Sequence, residues 1–514
     1  MTTLPDISLK LKRVLARSNL AYYAQEFVYL ENGKKFSFAN HEYLQEFYLE
    51  NHPYVVVQKG TQMSITTWAF IKSIWLCLNI LPLGVIYFFP TQKDVSDFSR
   101  GRITPFLNYN QSIKLQDDDD VNNVGMKHIG NAYLYFRGMM SSVSTKAVPA
   151  DGLIFDEIDE APPQSKEQAL KRIDHSSMPF VHELSNPTIE GYGINRSFNE
   201  SDKRYWHLKC LACNAWTCFD LTFPGCLVRQ GKGEDAPVIR VCSKCGRELQ
   251  LSNPGQWVAE QPSKKDKRGY LVSQLLSHYV SPAKILNEYE TKKGYEMETF
   301  MRLRLGRAYT LGENRVNKQQ IYKLVSSKEI ENKNDVLGFM GVDVGKHLHV
   351  EIIKRYPAEA IQRICKVSDF EELDALMNKY AITCCVVDAL PETREARKFV
   401  GRFPGRVFMC YYNDNQKGSY KWNLKEGIVE VNRTESIDAS QADFMHEPYI
   451  AINCNQADLV EYAQHCEAVV RQISTDEKGS QRVAWVQTGD DHFRHAHNYA
   501  RIASSKIKSM LRIL

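Results

Sequence analysis

Two short cysteine pairs, CLAC at 210–213 and CSKC at 242–245, separated by 28 residues, constrain this chain more than any other local feature. Each C-x-x-C knuckle presents two thiolates at the spacing of half a tetrahedral zinc site, so together they predict that distant segments are pinned at one point. A zinc held by Cys210, Cys213, Cys242 and Cys245 has no open coordination position; it staples a small module and does no chemistry. Disulfides or spare thiols are the competing reading, and Cys218 and Cys226 stand nearby as substitutes. The other cysteines, such as Cys384 and Cys385 in a buried-looking strand, suit a reducing, cytoplasmic compartment better than a secreted disulfide framework. The N-terminal stretch reads as an amphipathic basic helix without a cleavage site. Lys72, Asn79 and Pro82 interrupt the longest apolar run, so no secretory signal and no membrane span is expected.

Around this module the texture is α/β. The 514 residues, 43% hydrophobic and 25% charged, provide for two or three cored domains. With Lys+Arg 65 against Asp+Glu 61, a polyanion would have to be held by local patches. Short β-branched or aromatic runs alternate with helical patterns through the first half, which predicts a mainly parallel sheet. The expected organisation is an N-terminal helical segment (1–50), a nucleotide-binding core (51–200), a zinc-binding insertion (201–255), a helical remainder of the first domain (256–325), a polar linker (326–337) and a second α/β domain (338–514). The acidic run at 117–120 reads as a solvated loop.

GLIFDEIDEAP at 152–162 is a buried strand ending in two carboxylates. NTPases use this arrangement to hold Mg²⁺ with the first acid, here Asp156, and to polarise water with the second, Glu157. Upstream, VVVQKGTQMSITTW at 55–68 runs strand, turn, helix, the order a phosphate-cradling loop requires. Ser64 and Ile65 stand where the common motif has glycine and lysine, so Thr66 is left to ligate Mg²⁺, and Lys59 to return an ammonium from the start of the loop. A plain strand–helix turn is the bland alternative. In the second domain GFMGVDVG places Asp343 on a strand followed by a return strand, TCCVVDALP places Asp388 at the end of another, and TGDDHFRHAHNYARIA starts a helix with Asp491 and His495 on one face. Acids from neighbouring strand ends plus a late helix form the layout of an RNase H-like nuclease, where two metal ions sit about 4 Å apart across the scissile phosphate.

The chain resembles the large terminase subunit of tailed double-stranded DNA bacteriophages, nearest the lambda-type branch. The resemblance rests on HPYVVVQKGTQMSITTW, FPTQKDVSDFSRGRITPFL, GLIFDEIDEAP, LSNPTIEGYGINRSFNESDKRYWHLKCLAC and FMRLRLGRAYTLGE. It implies an N-terminal P-loop (ASCE-type) ATPase domain with a zinc-ribbon-like insertion and a C-terminal RNase H-like nuclease domain. Lys59, Gln62, Ser64, Thr66 and Thr67 would meet ATP; Asp156 and Glu157 would be the metal and hydrolytic acids; Ser185, Asn186 and Thr188 would sense the γ-phosphate. Asp343, Asp388 and Asp491 would hold Mg²⁺ or Mn²⁺ for DNA cleavage, with His495 a fourth ligand and Asp490 a rival for the third position. Arg102 and Arg137 are candidates for an arginine completing a neighbouring subunit's ATP site, and Tyr43, Phe47 and Tyr54 for adenine stacking. The implied partners are double-stranded DNA, a small terminase subunit, the procapsid portal and further copies in a ring, in the host cytoplasm. A non-hydrolysing zinc-containing DNA scaffold and a transposase-like nuclease are the alternatives.

Overall fold

The computed structural model describes residues 4–111, 113, 123–140, 148–231, 233, 236–310, 315–325, 336–355, 359–416, 418–444, 449–450, 455–475 and 481–511. The acidic run at 117–120 and most of the expected linker therefore lie outside the described residues. Two compact units, 1–309 and 310–514, are mixed α/β.

The first unit is built on a ten-stranded sheet. Its parallel centre runs Arg268–Val272, Tyr54–Lys59, Phe180–Ser185, Gly152–Asp156, Gly84–Phe89 and Ala132–Gly138. The β-branched and aromatic runs are covered on both faces, with Val55, Val56, Val57, Leu153, Ile154 and Phe155 at zero exposure. Helix Ile65–Asn79 follows Tyr54–Lys59 and buries Trp68, Phe70, Ile71 and Ile74 in the same core. The strand Phe180–Ser185 is inserted between Tyr54–Lys59 and Gly152–Asp156. All three are parallel, so the phosphate-loop candidate, the acid pair and residues 185–186 emerge at the carboxyl edge of one sheet, the edge that binds ligands in open α/β folds.

The cysteine-rich stretch is less separate than expected. Strands Arg204–Lys209 and Gly255–Ala259, which flank it, extend the main sheet. Cys210, Phe219, Leu227, Cys242 and Leu249 share a core with Phe47 and Trp257. Residues 315–325, expected with the first domain, fall in the second unit: Val316 and Ile321 pack with Phe339 and Tyr462, and helix Lys318–Lys323 carries Ile321 on its buried face.

The second unit has an eight-stranded sheet in the order Lys421–Asn423, Ile428–Val431, Val407–Tyr412, Ile382–Asp388, Gly338–Val344, Leu348–Arg355, Glu359–Val367 and Tyr449–Ile450. Gly338–Val344 pairs antiparallel with Leu348–Arg355 and parallel with Ile382–Asp388. Helix His492–Leu511 lies across the central strand so closely that a Cβ on Gly341 would stand 2.0 Å from the Ala496 carbonyl. Only glycine permits that approach, which seats the start of the helix over the strand that carries Asp343. No described helix is long and apolar enough to cross a membrane.

Candidate functional site

At the carboxyl edge of the first sheet a cavity of about 500 Å³ is lined by residues 61–67 together with Lys59, Glu157, Asn186 and Arg102. Its opposite wall comes from residues 30–44, including Glu31, Asn32, Phe36 and His41. Three non-glycine residues here, Gln62, Ser64 and Glu157, have left-handed backbones with φ of +57°, +59° and +55°. Such conformations persist where the surroundings over-determine them, as at ligand clamps. Lys59 Nζ lies 2.6 Å from Glu157 Oε1. Glu157 Oε2 accepts from the Ser185 hydroxyl at 3.3 Å and from the Asn186 N–H at 3.2 Å, while Asn186 Nδ2 donates to the Lys59 carbonyl at 2.7 Å. Burial alone would push the Lys59 ammonium down, but Glu157 and then Asp156 overturn this and hold it above its usual value.

Asp156 is buried, and the burial raises its carboxyl against the pull of Lys59. One oxygen accepts from the Tyr87 hydroxyl at 2.8 Å; the other has no hydrogen-bond partner, and Thr66 lies within hydrogen-bonding reach of the carboxylate. An orphaned buried carboxylate oxygen beside a hydroxyl at a helix start fits a hard divalent cation. Three residues on, Asp159 was not anticipated. It is buried, accepts from Thr188 N–H at 2.7 Å, Thr188 Oγ1 at 2.8 Å and Ile194 N–H at 2.6 Å, and thereby ties the loop after Asn186 to the acid strand. A Cβ on Gly193, whose φ is +49°, would strike Asp159 Oδ1 at 2.2 Å, so this turn also requires glycine.

Several expectations change here. Tyr43 and Phe47 are core residues, with the Tyr43 hydroxyl bonded to the Met63 carbonyl, and Tyr54 bonds Glu183; none lines the cavity. Arg137 donates to the Gly125 and Phe136 carbonyls and is not part of the cavity, because its strand lies beyond Gly84–Phe89 in the sheet. Arg102 belongs to the cavity of its own chain, donating to Thr67 Oγ1 at 2.8 Å and to Glu31 at 2.9 Å. The wall formed by residues 30–44 carries no recognisable motif, so nothing in the sequence pointed to it.

The four knuckle sulfurs converge, with Cys210–Cys245 at 3.8 Å and Cys213–Cys242 at 3.7 Å. Zinc–sulfur bonds of about 2.3 Å in a tetrahedron make edges of about 3.8 Å, so the donor set fits zinc. Cys218 and Cys226 stay outside this cluster, and burial pushes each thiol up to about 12.

In the second unit Asp343 is buried mid-sheet, and Asp388 ends the neighbouring parallel strand. Burial, with the Asp343 charge adding, raises the Asp388 carboxyl to about 6, so the two acids sense each other. Asp491 accepts from Gln487 Nε2 at 3.0 Å and pairs with His495 Nε2 at 3.3 Å, and His495 Nδ1 bonds the Tyr412 hydroxyl at 2.9 Å. The residue that reaches Asp343 is instead His492, whose Nδ1 lies 2.8 Å from Oδ2. His349 lies directly across the strand pair from Asp343, in a single cluster with Asp343 and His492. A second cluster joins His349 with Glu461 and His465. Period-two pairing along the return strand held the signal for His349; the other three positions emerge only from tertiary packing.

Residues 40–260 match the family model described as phage terminase large subunit gpA, ATPase domain. No curated protein matches the sequence. Among solved structures, the large terminase of thermophilic bacteriophage D6E is 13% identical with a TM-score of 0.31, over 89% of this chain and 94% of that one. The large terminase ATPase domain of Thermus phage P74-26 is 10% identical with a TM-score of 0.34, over 54% and 96%. The large terminase nuclease of thermophilic phage G20c is 12% identical with a TM-score of 0.24, over 36% and 97%. With TM-scores this low, none of the three likenesses bears on how this chain works.

Proposed function

We propose, from the match of residues 40–260 to the model of the phage terminase large-subunit ATPase domain, that the whole chain packages double-stranded DNA by ATP hydrolysis and cuts it with its second unit. The observation that carries the motor reading is the Lys59–Glu157 contact of 2.6 Å beside a cavity lined by the phosphate-loop candidate. ATP would lie with its phosphates against residues 60–64 and the first turn of helix Ile65–Asn79, whose N–H groups meet the anion. Mg²⁺ would supply charge neutralisation at the phosphates, with Thr66 and the free oxygen of Asp156 as its protein contacts.

The ammonium of Lys59 has donors for both Glu157 and a phosphate, so an arriving phosphate would compete for its charge. An incoming γ-phosphate would draw the ammonium toward it and loosen its hold on Glu157, the carboxylate that would orient water. The same carboxylate holds Ser185 and the Asn186 N–H, so this exchange also reaches the loop beyond them. Nucleotide state is thereby converted into a backbone shift. DNA contact in such a translocase goes to phosphates, since movement must ignore sequence.

The nuclease reading is RNase H-like. Its support is the strand order 359–367, 348–355, 338–344, 382–388, 407–412 with only 348–355 reversed among the central three, and the two acids at neighbouring positions. Structural zinc, a small-subunit partner, the portal, a ring of copies and the host cytoplasm belong to this proposal as the family resemblance implies them; the lambda-type assignment rests on the block from Leu184 to Cys213. Phosphate release stimulated by duplex DNA and lost in Glu157→Gln tests the motor. Absence of phosphate release, with or without DNA, would leave the non-hydrolysing scaffold.

A further inference from the structure

We propose that Arg302 and Gln58 are positioning residues of the ATPase: through the backbone of residues 303–306 they tie the loop after Asn186 to the phosphate loop, so that the two respond to nucleotide as one body. The inference rests on the motor reading above and deepens it. Residues 302–306 close helix Gly294–Leu303 and run on beyond it. Arg302 Nε donates to the carbonyl of Pro187, the residue after Asn186, at 2.9 Å. The Leu303 carbonyl accepts from the Thr61 N–H at 2.8 Å, and the Gly306 carbonyl from Gln58 Nε2 at 2.7 Å. Gln58 Oε1 in turn accepts from Asn195 Nδ2 at 2.9 Å, and Asn195 Oδ1 from the Gly191 N–H at 2.8 Å. Two separate routes therefore join residues 187–195 to the same short segment, and that segment holds the start of the phosphate loop. Asp159 ties this stretch to the acid strand; the links through 302–306 tie it to the phosphate loop.

Three observations favour coupling over ordinary packing. The backbones touch: a Cβ on Gly60 would stand 2.7 Å from the Arg304 carbonyl oxygen, and one on Gly306, whose φ is +60°, would stand 2.7 Å from the Gly60 nitrogen. With no side chains between them to absorb a displacement, a shift of one backbone displaces the other. Gln58 is 3% exposed, and both ends of its amide are spent on segments distant in sequence. A satisfied buried amide specifies a register that an apolar side chain of its size would not. Arg302, finally, gives Nε to a main-chain carbonyl while Glu298 lies 3.4 Å from Nη1, so the guanidinium follows the loop backbone itself.

Arg304 plays a different part. Glu288 holds its Nε and Nη2 at 3.0 and 2.8 Å, Gln274 accepts from Nη1 at 2.7 Å, and Gln274 Nε2 donates to the Thr61 carbonyl at 2.9 Å. That chain fixes the segment and the phosphate loop to helix Pro282–Thr291, which makes Arg304 an anchor and leaves Arg302 and Gln58 as the links to residues 187–195.

The test is amide hydrogen exchange of the full chain with and without Mg²⁺ and the slowly hydrolysed analogue ATPγS, read on peptides covering 60–67 and 187–195, beside DNA-stimulated phosphate release. In wild type the nucleotide should slow exchange in both stretches. In Arg302→Ala and in Gln58→Leu, protection of 60–67 should persist while that of 187–195 falls roughly two- to thirtyfold, and stimulation by DNA should fall with it. Arg302→Lys, whose ammonium can still donate to the Pro187 carbonyl, should restore both. Arg196→Ala, an exposed position on helix Gly193–Glu200, should change neither. Protection of 187–195 that survives in both variants overturns the inference and spares the motor. Fast exchange of both stretches in the variants even without nucleotide also overturns it, since the contacts would then only hold the fold. A wild type in which the nucleotide protects neither stretch overturns the motor reading itself.

Discussion

The two units solve one problem in different ways. The first sets Asp156 and Glu157 at the end of one strand, the second sets Asp343 and Asp388 on neighbouring strands, and both must keep the carboxylates from repelling. In the first, the counter-charge is an ammonium: Lys59 lies on Glu157, and backbone and hydroxyl donors of residues 185–186 complete the shell. In the second, Asp343 is met by an imidazole, His492. An ammonium has no lone pair and can only donate, whereas a neutral imidazole also offers a lone pair to a metal. On the proposed reading the first centre would respond to an arriving phosphate and the second to a cation.

The sharpest way to break this contrast is to remove one acid from each. Glu157→Gln should retain ATP yet lose two or more orders of magnitude in hydrolysis, the scale of losing a positioned base, while DNA cleavage persists. Asp343→Ala should abolish metal-dependent plasmid cleavage and leave ATPase in place. Parallel phosphate-release and plasmid-nicking assays read both; loss of both activities in either variant would mean that the centres do not act independently. A step down in size, Lys59→Ala should cost far more ATPase than Ile65→Ala. Ile65 is a core residue at 1% exposure, so its truncation should instead lower stability by about 2–5 kcal/mol in chemical denaturation.

Zinc tests how far the first unit depends on its insertion. Metal analysis should return one zinc per chain. Because the knuckles share a core with Phe47 and Trp257, Cys242→Ser should lower the melting temperature of the whole ATPase unit as well as loosening residues 210–250 to protease. A variant that loses zinc yet melts unchanged would make the module an ornament.

Strand periodicity and strand-end acids made the α/β character, Asp156, Glu157, Asp343 and Asp388 legible, because local sequence dictates both the strand and the residue at its end. The knuckles were legible for the same reason. The cavity wall at residues 30–44, and His349 and His492 at the second centre, were not, because they arrive by packing of elements far apart in sequence. Asp491 shows both sides: helix spacing paired it with His495, and so it is, while the contact of His492 with Asp343 could not be read from that spacing.

Asp159 gives the smallest and most discriminating test of the first centre. It is the second link between the acid strand and the loop after Asn186, and its three accepted hydrogen bonds favour the charged form while its burial opposes it. Burial prevails, raising the carboxyl to about 6, against about 3.9 in an unfolded chain. Between those values the folded chain binds more protons than the unfolded one, so this group's contribution to stability is fully present below about pH 4 and is lost as pH rises to about 6. In Asp159→Asn that loss is absent, so the stability of wild type relative to the variant should fall across the same window and then level off. At neutral pH the variant leaves at least one backbone N–H of residues 188 or 194 without an acceptor. ATP binding should be retained while stimulation by DNA drops several-fold, because Glu157 keeps its own partners and only the second tether of the loop is cut. A relative stability that rises with pH instead would mean the three hydrogen bonds outweigh burial, and the charged carboxylate would then be the form the fold prefers.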